Sequence, residues 1–171
     1  WSFYPAMQAA HILFPQFHKG KHMTLVPIAV DQDPFIRLTR DIAEQFDFEK
    51  PAAIHAKFMP SLYGDAKMSS SSLGLNVIFL NDDKKTVEQK IKKYAFSGGQ
   101  KSIEEHRKLG GNPDVDISFQ YLKMFFEPDD KKLQKIQEEY KSGKLLTSEL
   151  KEILIKKINE FLEEHQKKKK L

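Results

Sequence analysis

Thr24-Leu25-Val26-Pro27-Ile28-Ala29-Val30-Asp31-Gln32-Asp33-Pro34 is the stretch that decides the fold of the first part of the chain. Its mostly apolar beginning is typical of a buried strand in a parallel sheet. Pro27 has no amide hydrogen for a ladder bond, so this strand is expected at an edge or at a bulge. Asp33 and Pro34 predict the N-cap and the first residue of a helix that continues to about Phe46.

A second strand is predicted over residues 52–58, and a loop with the sequence Lys67-Met68-Ser69-Ser70-Ser71 follows it. Ligands of open α/β sheets bind beyond the carboxyl ends of the strands. Both Asp31-Gln32 and this loop, called here the lysine loop, follow a predicted strand. They are therefore expected on the side of the sheet that binds a ligand.

The lysine loop offers one cation and several hydroxyl and backbone donors. Such donors stabilise negative charge that develops on a leaving phosphate group, and closure of a loop excludes water from the reaction. A short serine-rich run of this kind is more often an ordinary polar loop, so the five residues alone do not establish a phosphate-binding role.

Helices alone are predicted after residue 82. Their starts are marked by capping residues, and glycines or prolines mark their ends. The predicted capping or starting residues are Asp82 or Asp83, Ser102 (with Glu105 in a capping box) and Asp116. Pro128-Asp129-Asp130 starts the fourth helix, and Thr147 opens the last. The last helix carries one apolar stripe at helical spacing: Leu150, Ile153, Leu154, Ile158, Phe161 and Leu162. The predicted fold class is therefore α/β plus all-α, with a boundary near residue 82.

Composition excludes several classes of protein. The 171 residues include 40% hydrophobic and 30% charged side chains, which is ordinary for a globular protein outside the membrane. The absence of cysteine excludes disulfides and thiolate chemistry and favours the cytoplasm. The six histidines lack zinc-like spacing, and no Ser-His-Asp order indicates a hydrolase. The Asp31-x-Asp33 spacing could bind a cation, but a helix cap explains Asp33 more simply, so no metal site is predicted.

Positive charge is concentrated at the end of the chain. Residues 131–171 contain 12 lysines and 7 glutamates. Such a surplus is typical of a surface that binds nucleic acid, and equally of a solvated lysine-rich helix.

Several short motifs occur in a specific order along nearly the whole chain. They are Pro5-Ala6-Met7-Gln8-Ala9-Ala10, Val30-Asp31-Gln32-Asp33-Pro34-Phe35, Arg37-Leu38-Thr39-Arg40-Asp41, the lysine loop, Ile78-Phe79-Leu80, Ala95-Phe96-Ser97-Gly98-Gly99, Ile103-Glu104-Glu105-His106-Arg107, Gly110-Gly111-Asn112 and Asp114-Val115-Asp116. This series resembles the carboxyl-terminal half of tryptophanyl-tRNA synthetases of the eukaryotic and archaeal type. The lysine loop resembles the KMSKS signature of class I synthetases, with a serine in place of the second lysine.

The resemblance implies a fold and an activity. Residues 1–82 are expected to be the second half of a class I Rossmann-like nucleotide-binding domain, and residues 83–171 a helical anticodon-binding domain. The intact enzyme would activate tryptophan with ATP and Mg²⁺ as substrates, without a prosthetic group, and transfer it to tRNA(Trp). It would be a cytoplasmic homodimer that does not enter a membrane. The HIGH-like signature segment is absent and the chain begins with Trp1, so an amino-terminal half is expected to be missing and the isolated chain inactive.

The resemblance also implies roles for particular residues. Lys67, Ser69 and Ser70 are the expected catalytic residues, and they bind ATP together with Asp31 and Met68. Gln8 and Gln32 are expected to bind the polar ends of tryptophan, because an amide offers both donors and an acceptor. The expected anticodon-binding residues are Gly99, Gln100, Lys101 and Arg107.

Two alternatives remain at the level of sequence. A non-catalytic tRNA-binding or interaction fragment would fit the missing signature segment, although such a module has no need of Lys67. A tyrosine-specific relative would share the lysine loop but not the segment from Ala95 to Arg107.

Overall fold

The structure, a computed structural model, describes residues 3–64, 68 and 75–169. The chain divides into two compact units, Trp1–Phe58 and Met59–Leu171. The boundary between these units therefore precedes the domain boundary expected near residue 82. The reason is packing: Leu62 and Val77, from the segment before residue 82, are buried within the second unit.

The first unit is a strand–helix–strand arrangement preceded by a helix. Its elements are α1 (Tyr4–Lys19), β1 (Leu25–Ala29), a 3₁₀ turn (Val30–Gln32), α2 (Asp33–Gln45) and β2 (Ala52–Ala56). The two strands pair in parallel, with Leu25 opposite Ala52 and Ala29 opposite Ala56. The described sheet has only these two strands, so β1 is an edge strand, as Pro27 predicts. The core residues of this unit are Ile12, Leu13, Ile28, Ile36 and Ala43.

The predicted N-cap role of Asp33 is wrong by one position. The amide of Asp33 already donates to the carbonyl of Val30 and closes the 3₁₀ turn, so Asp33 is the first residue of α2. Gln32 occupies the N-cap position and makes no side-chain cap hydrogen bond. The Asp33 carboxylate is consequently available for contacts outside the helix backbone.

The second unit contains the predicted helices: α3 (Lys84–Tyr94), α4 (Ile103–Leu109), α5 (Ile117–Tyr121), α6 (Asp130–Lys141) and α7 (Thr147–Lys169). The N-caps are Asp83, one of the two predicted candidates, Ser102 and Asp116 as predicted, and Asp129 within the predicted starting segment. Each accepts a backbone hydrogen bond from the first turn of its helix. A π-helical turn, Leu122–Phe126, continues α5. Of the predicted apolar stripe on α7, Leu150, Leu154, Ile158 and Leu162 are buried, whereas Phe161 is 48% exposed.

A buried carboxylate joins the segments of this unit. Asp116 is fully buried, and its Oδ1 accepts hydrogen bonds from the amides of Ser118 (2.9 Å) and Phe119 (3.3 Å) at the start of α5. Its Oδ2 accepts from the amide of Gly98 (2.9 Å) and from the hydroxyl of Tyr140 on α6 (2.7 Å). Burial of a charge is costly unless it is hydrogen-bonded, and here four donors stabilise the carboxylate.

Tyr140 extends this network to α7. Its hydroxyl lies 3.2 Å from the Thr147 Oγ1 at the first residue of that helix. Burial, together with the negative charge of Asp116, raises the pKa of Tyr140 well above its usual value, so the phenol stays protonated and donates.

Replacement of Tyr140 by phenylalanine tests how much this network stabilises the protein. Tyr140→Phe removes a donor to a buried charge, so we expect the free energy of unfolding to fall by about 2 kcal/mol. Urea denaturation followed by circular dichroism measures the change. Tyr94→Phe is the matched control, because the Tyr94 hydroxyl makes no hydrogen bond within the described residues. Equal free energies of unfolding for the two variants would contradict a stabilising role of the hydrogen bond from Tyr140 to Asp116.

Candidate functional site

The first unit places Gln8 and Gln32 on adjoining elements. Tyr4 and Gln8 are four residues apart on α1 and therefore share one face of that helix. The Tyr4 hydroxyl donates to the Oε1 of Gln32, in the turn after β1, over 3.2 Å. The Oε1 of Gln8 is buried and has no hydrogen-bond partner within the described residues. The structure therefore brings an unused buried acceptor and a second amide to the same face of α1.

Polar groups also gather at the carboxyl end of the parallel sheet. His55, near the end of β2, lies with its Nε2 2.8 Å from Asp33 Oδ1, and Arg37 Nε donates to Asp33 Oδ2 over 2.7 Å. The hydrogen bond from His55, followed by that from Arg37, holds the pKa of Asp33 below its usual value. Asp31 lies in the 3₁₀ turn directly after β1. Among the described residues, no three His, Cys, Asp or Glu side chains are grouped so that they could bind a metal ion.

Most of the lysine loop lies outside the described residues: Lys67, Ser69, Ser70 and Ser71 are not among them. Met68 is described. Its amide donates to the carbonyl of Met59 over 2.8 Å, and its half-buried side chain packs against the core of the second unit.

The segment that leads into the loop is fixed to the helices of the second unit. The amide of Phe96, just after α3, donates to the carbonyl of Leu62 over 2.7 Å, and the Leu62 amide donates to Asn76 across the base of the loop over 2.9 Å. The hydroxyl of Tyr121 on α5 donates to the carbonyl of Pro60 over 2.7 Å. Residues 59–64 thus belong structurally to the helical unit.

The segment that leaves the loop is fixed to α3 by Lys90. Its ammonium donates to the carbonyl of Val77 (2.9 Å) and to Asp82 Oδ2 (2.6 Å), and that carboxylate also accepts the amide of Phe79 (2.9 Å). The Lys90 and Asp82 side chains are only 12% and 11% exposed. Gln166 on α7 adds a second attachment through the carbonyls of Leu80 and Asp82. Nothing in the sequence separates Lys90 from the neighbouring lysines of α3, so the pattern alone could not identify it.

An apolar cavity of about 310 Å³ lies between these segments and the helices. Met59 and Met68 line it on one side, and the π-helical turn and α7 line it on the other. The remaining lining residues are Ile78, Leu80, Tyr121, Phe125, Phe126, Ile158, Phe161 and Leu162.

The residues expected to bind the anticodon lie together around the loop after Phe96, and three of them have structural contacts. Gln100 Nε2 donates to the carbonyl of Gly110 (2.9 Å), and an Arg107 guanidinium nitrogen donates to that of Gly143 (2.9 Å). A side chain at Gly99 would place its Cβ 2.2 Å from the Thr147 hydroxyl oxygen. Lys101 is exposed and has no ion-pair partner within the described residues, so its charge is available to a ligand.

The described residues thus comprise a parallel strand–turn–helix unit and a helical unit to which the segments before and after the lysine loop are attached. The chain belongs to the family of class I tRNA synthetases (W and Y), whose family model matches residues 3–163.

Individual relatives agree with this family. The tryptophan–tRNA ligase of Sulfurisphaera tokodaii is 58% identical over 166 residues, which are 97% of this chain and 42% of that protein. The cytoplasmic tryptophan–tRNA ligase of Homo sapiens is 45% identical over 172 residues, covering 98% of this chain and 36% of that protein. A product-bound parasite tRNA synthetase superimposes with a TM-score of 0.90 at 46% identity, over 98% of this chain and 45% of that chain.

The chain spans about two-fifths of the length of these relatives. None of the described helices is both long and apolar enough to span a membrane.

The attachment by Lys90 predicts a local change in protection from hydrogen exchange. Lys90→Met leaves the nearly buried Asp82 carboxylate without its cation, which is costly. We expect amides in residues 77–82 to exchange at least about tenfold faster, measured by mass spectrometry. Lys92→Met is the control, because Lys92 on the same helix pairs with Glu88 and Glu152 and not with the loop segment. If both variants exchanged at the same rate in this segment, Lys90 would not hold it.

Proposed function

We propose that this chain is the carboxyl-terminal part of a cytoplasmic, homodimeric tryptophan–tRNA ligase. The observation that carries the proposal is its identity of 45–58% to proteins named tryptophan–tRNA ligases over nearly its whole length. In this proposal residues 1–82 belong to the class I catalytic domain, and residues 83–171 form the anticodon-binding domain. Tryptophan, rather than tyrosine, is the amino acid because these relatives are named for tryptophan.

The reaction of the whole enzyme has two steps. A carboxylate oxygen of tryptophan attacks the α-phosphorus of Mg²⁺-bound ATP, the bond to the bridging oxygen breaks, and pyrophosphate leaves. A ribose hydroxyl at the acceptor end of tRNA(Trp) then attacks the carbonyl carbon of the adenylate, and AMP leaves. Catalysis of this kind depends on positioning and on donors aimed at developing negative charge.

In this proposal Gln8 and Gln32 bind the ammonium and carboxylate groups of tryptophan. The unpaired, buried Oε1 of Gln8 supports the role, because a buried acceptor without a partner is costly until a ligand donates to it. Gln32 uses one oxygen lone pair for Tyr4, which leaves a second lone pair and both amide hydrogens for a ligand.

Asp31 and Met68 contact the nucleoside part of ATP in this proposal. The position of Asp31 beyond the carboxyl end of β1 supports its role. Because the Met68 amide already donates to Met59, the Met68 carbonyl is the backbone group available to the exocyclic amine of adenine. Lys67, Ser69 and Ser70 bind the phosphates.

The second unit binds the anticodon through the loop after Phe96. Sequence-specific proteins read unpaired RNA bases by stacking and by hydrogen bonds to base edges. In this proposal the Lys101 ammonium contacts the phosphate backbone of the RNA. The hydrogen bonds of Gln100 and Arg107 to carbonyls of the protein hold the loop in place.

Substitution of Lys67 tests the catalytic role of the lysine loop. In the full-length enzyme, Lys67→Ala should reduce tryptophan-dependent pyrophosphate exchange by at least about tenfold, because donors of this kind contribute a few kcal/mol to the transition state. Lys131→Ala, an exposed lysine on α6, is the control and should keep full activity. If Lys67→Ala reduced the rate of pyrophosphate exchange by less than tenfold, the proposed catalytic role of Lys67 would be wrong.

Direct binding tests the proposed RNA partner with the 171-residue chain itself. We expect it to bind a tRNA(Trp) transcript and to bind a transcript with an altered anticodon at least about tenfold more weakly, since each lost base contact costs a discrete free energy. Fluorescence anisotropy at a fixed salt concentration measures both affinities. The slope of the logarithm of the binding constant against the logarithm of the salt concentration then gives the number of phosphate contacts. Equal affinity for the two transcripts would contradict anticodon recognition and favour a general tRNA-binding fragment.

A further inference from the structure

We infer that Tyr4 and His55 are positioning residues that hold the Val30–Gln32 turn, and with it the groups that bind tryptophan and ATP. The inference rests on the proposed function of Gln32 and Asp31. Tyr4 and His55 come from two different elements, α1 and β2, and each bonds to a side chain in or directly beside the turn.

The turn itself is short. It comprises three residues in 3₁₀ geometry, and its N-cap, Ala29, has no side chain that could cap it. The backbone bond from the Asp33 amide to Val30 closes the turn. Because 3₁₀ hydrogen bonds have poor geometry, side-chain contacts from neighbouring elements contribute strongly to the orientation of such a turn.

Tyr4 restrains the Gln32 amide. Its hydroxyl donates to Gln32 Oε1 over 3.2 Å, and this bond selects one of the two orientations of the amide group. The Tyr4 ring is held in turn by an edge-on contact with Phe35 on α2, with ring centroids 5.4 Å apart. The geometry thus fixes which edge of the Gln32 amide presents its hydrogens to a ligand.

His55 restrains the other end of the turn. It pairs with Ile28 in the parallel register, so its position along the sheet is set by β1, the strand that leads into the turn. Its Nε2 contacts Asp33 Oδ1 over 2.8 Å, and the second oxygen of Asp33 accepts from Arg37. The Asp33 carboxylate therefore ties the end of β2 to the first turn of α2, directly beside Gln32.

Steady-state kinetics of pyrophosphate exchange by the full-length enzyme separates the two roles. Tyr4→Phe keeps the ring and loses the donor, so we expect the KM for tryptophan to rise about three- to tenfold while the KM for ATP changes less than about twofold. His55→Leu loosens the whole turn and should raise the KM for tryptophan and for ATP by similar factors. His55→Gln places an amide nitrogen near the position of Nε2 and should restore both constants to within about twofold of the wild type.

Two control variants remove similar groups that make no hydrogen bond within the described residues. Tyr63→Phe and His11→Leu replace exposed side chains and should leave both KM values unchanged. Wild-type protein without tryptophan-dependent exchange would refute the proposed function. An active wild type in which Tyr4→Phe leaves the KM for tryptophan unchanged, or in which His55→Gln is as impaired as His55→Leu, would refute the positioning roles alone.

Discussion

The buried carboxylate of Asp116 is the interaction on which the second unit depends. It accepts hydrogen bonds from the first turn of α5, from the backbone at Gly98 and from Tyr140 on α6. A charge in this position is tolerated only while all of its donors are present, so the carboxylate fixes those segments relative to one another. The loop that carries Gly99, Gln100 and Lys101 follows Gly98, whose amide donates to Asp116. The conformation of this loop therefore depends on the buried carboxylate.

The segments on either side of the lysine loop are attached to the same unit. Residues 59–64 are attached to α5 and to the end of α3, and residues 75–82 are attached to α3 and α7. The segment before residue 82 therefore packs with the helices, although its proposed chemistry belongs to the catalytic domain. The proposed domain boundary near residue 82 and the boundary between the packed units after Phe58 therefore differ, because hydrogen bonds and burial do not follow the proposed division of chemical roles.

In the first unit, polar groups gather at the carboxyl end of the parallel sheet and on one face of α1. Its short parallel sheet brings the 3₁₀ turn after β1 close to His55 near the end of β2, and α1 adds Tyr4 and Gln8 on one face. The buried Oε1 of Gln8 has no hydrogen-bond partner in the described part of the chain, whereas the Asp33 carboxylate is shared between His55 and Arg37. The proposed tryptophan-binding role of Gln8 and the inferred positioning role of His55 rest on this difference.

The sequence by itself determined the order of the helices and strands, the caps Ser102 and Asp116, the edge position of Pro27 and the family, because these follow from local patterns and short motifs. It also located the starts of α3 and α6 without selecting the capping aspartate. Only the tertiary structure decided that Asp33 is a helical residue that contacts His55, that Asp116 accepts a hydrogen bond from Tyr140, and that Lys90 rather than Lys92 holds residues 77–82. Each of these contacts joins residues from different parts of the fold. A pattern along the chain describes which side chains share a face of one element, but not which element that face meets.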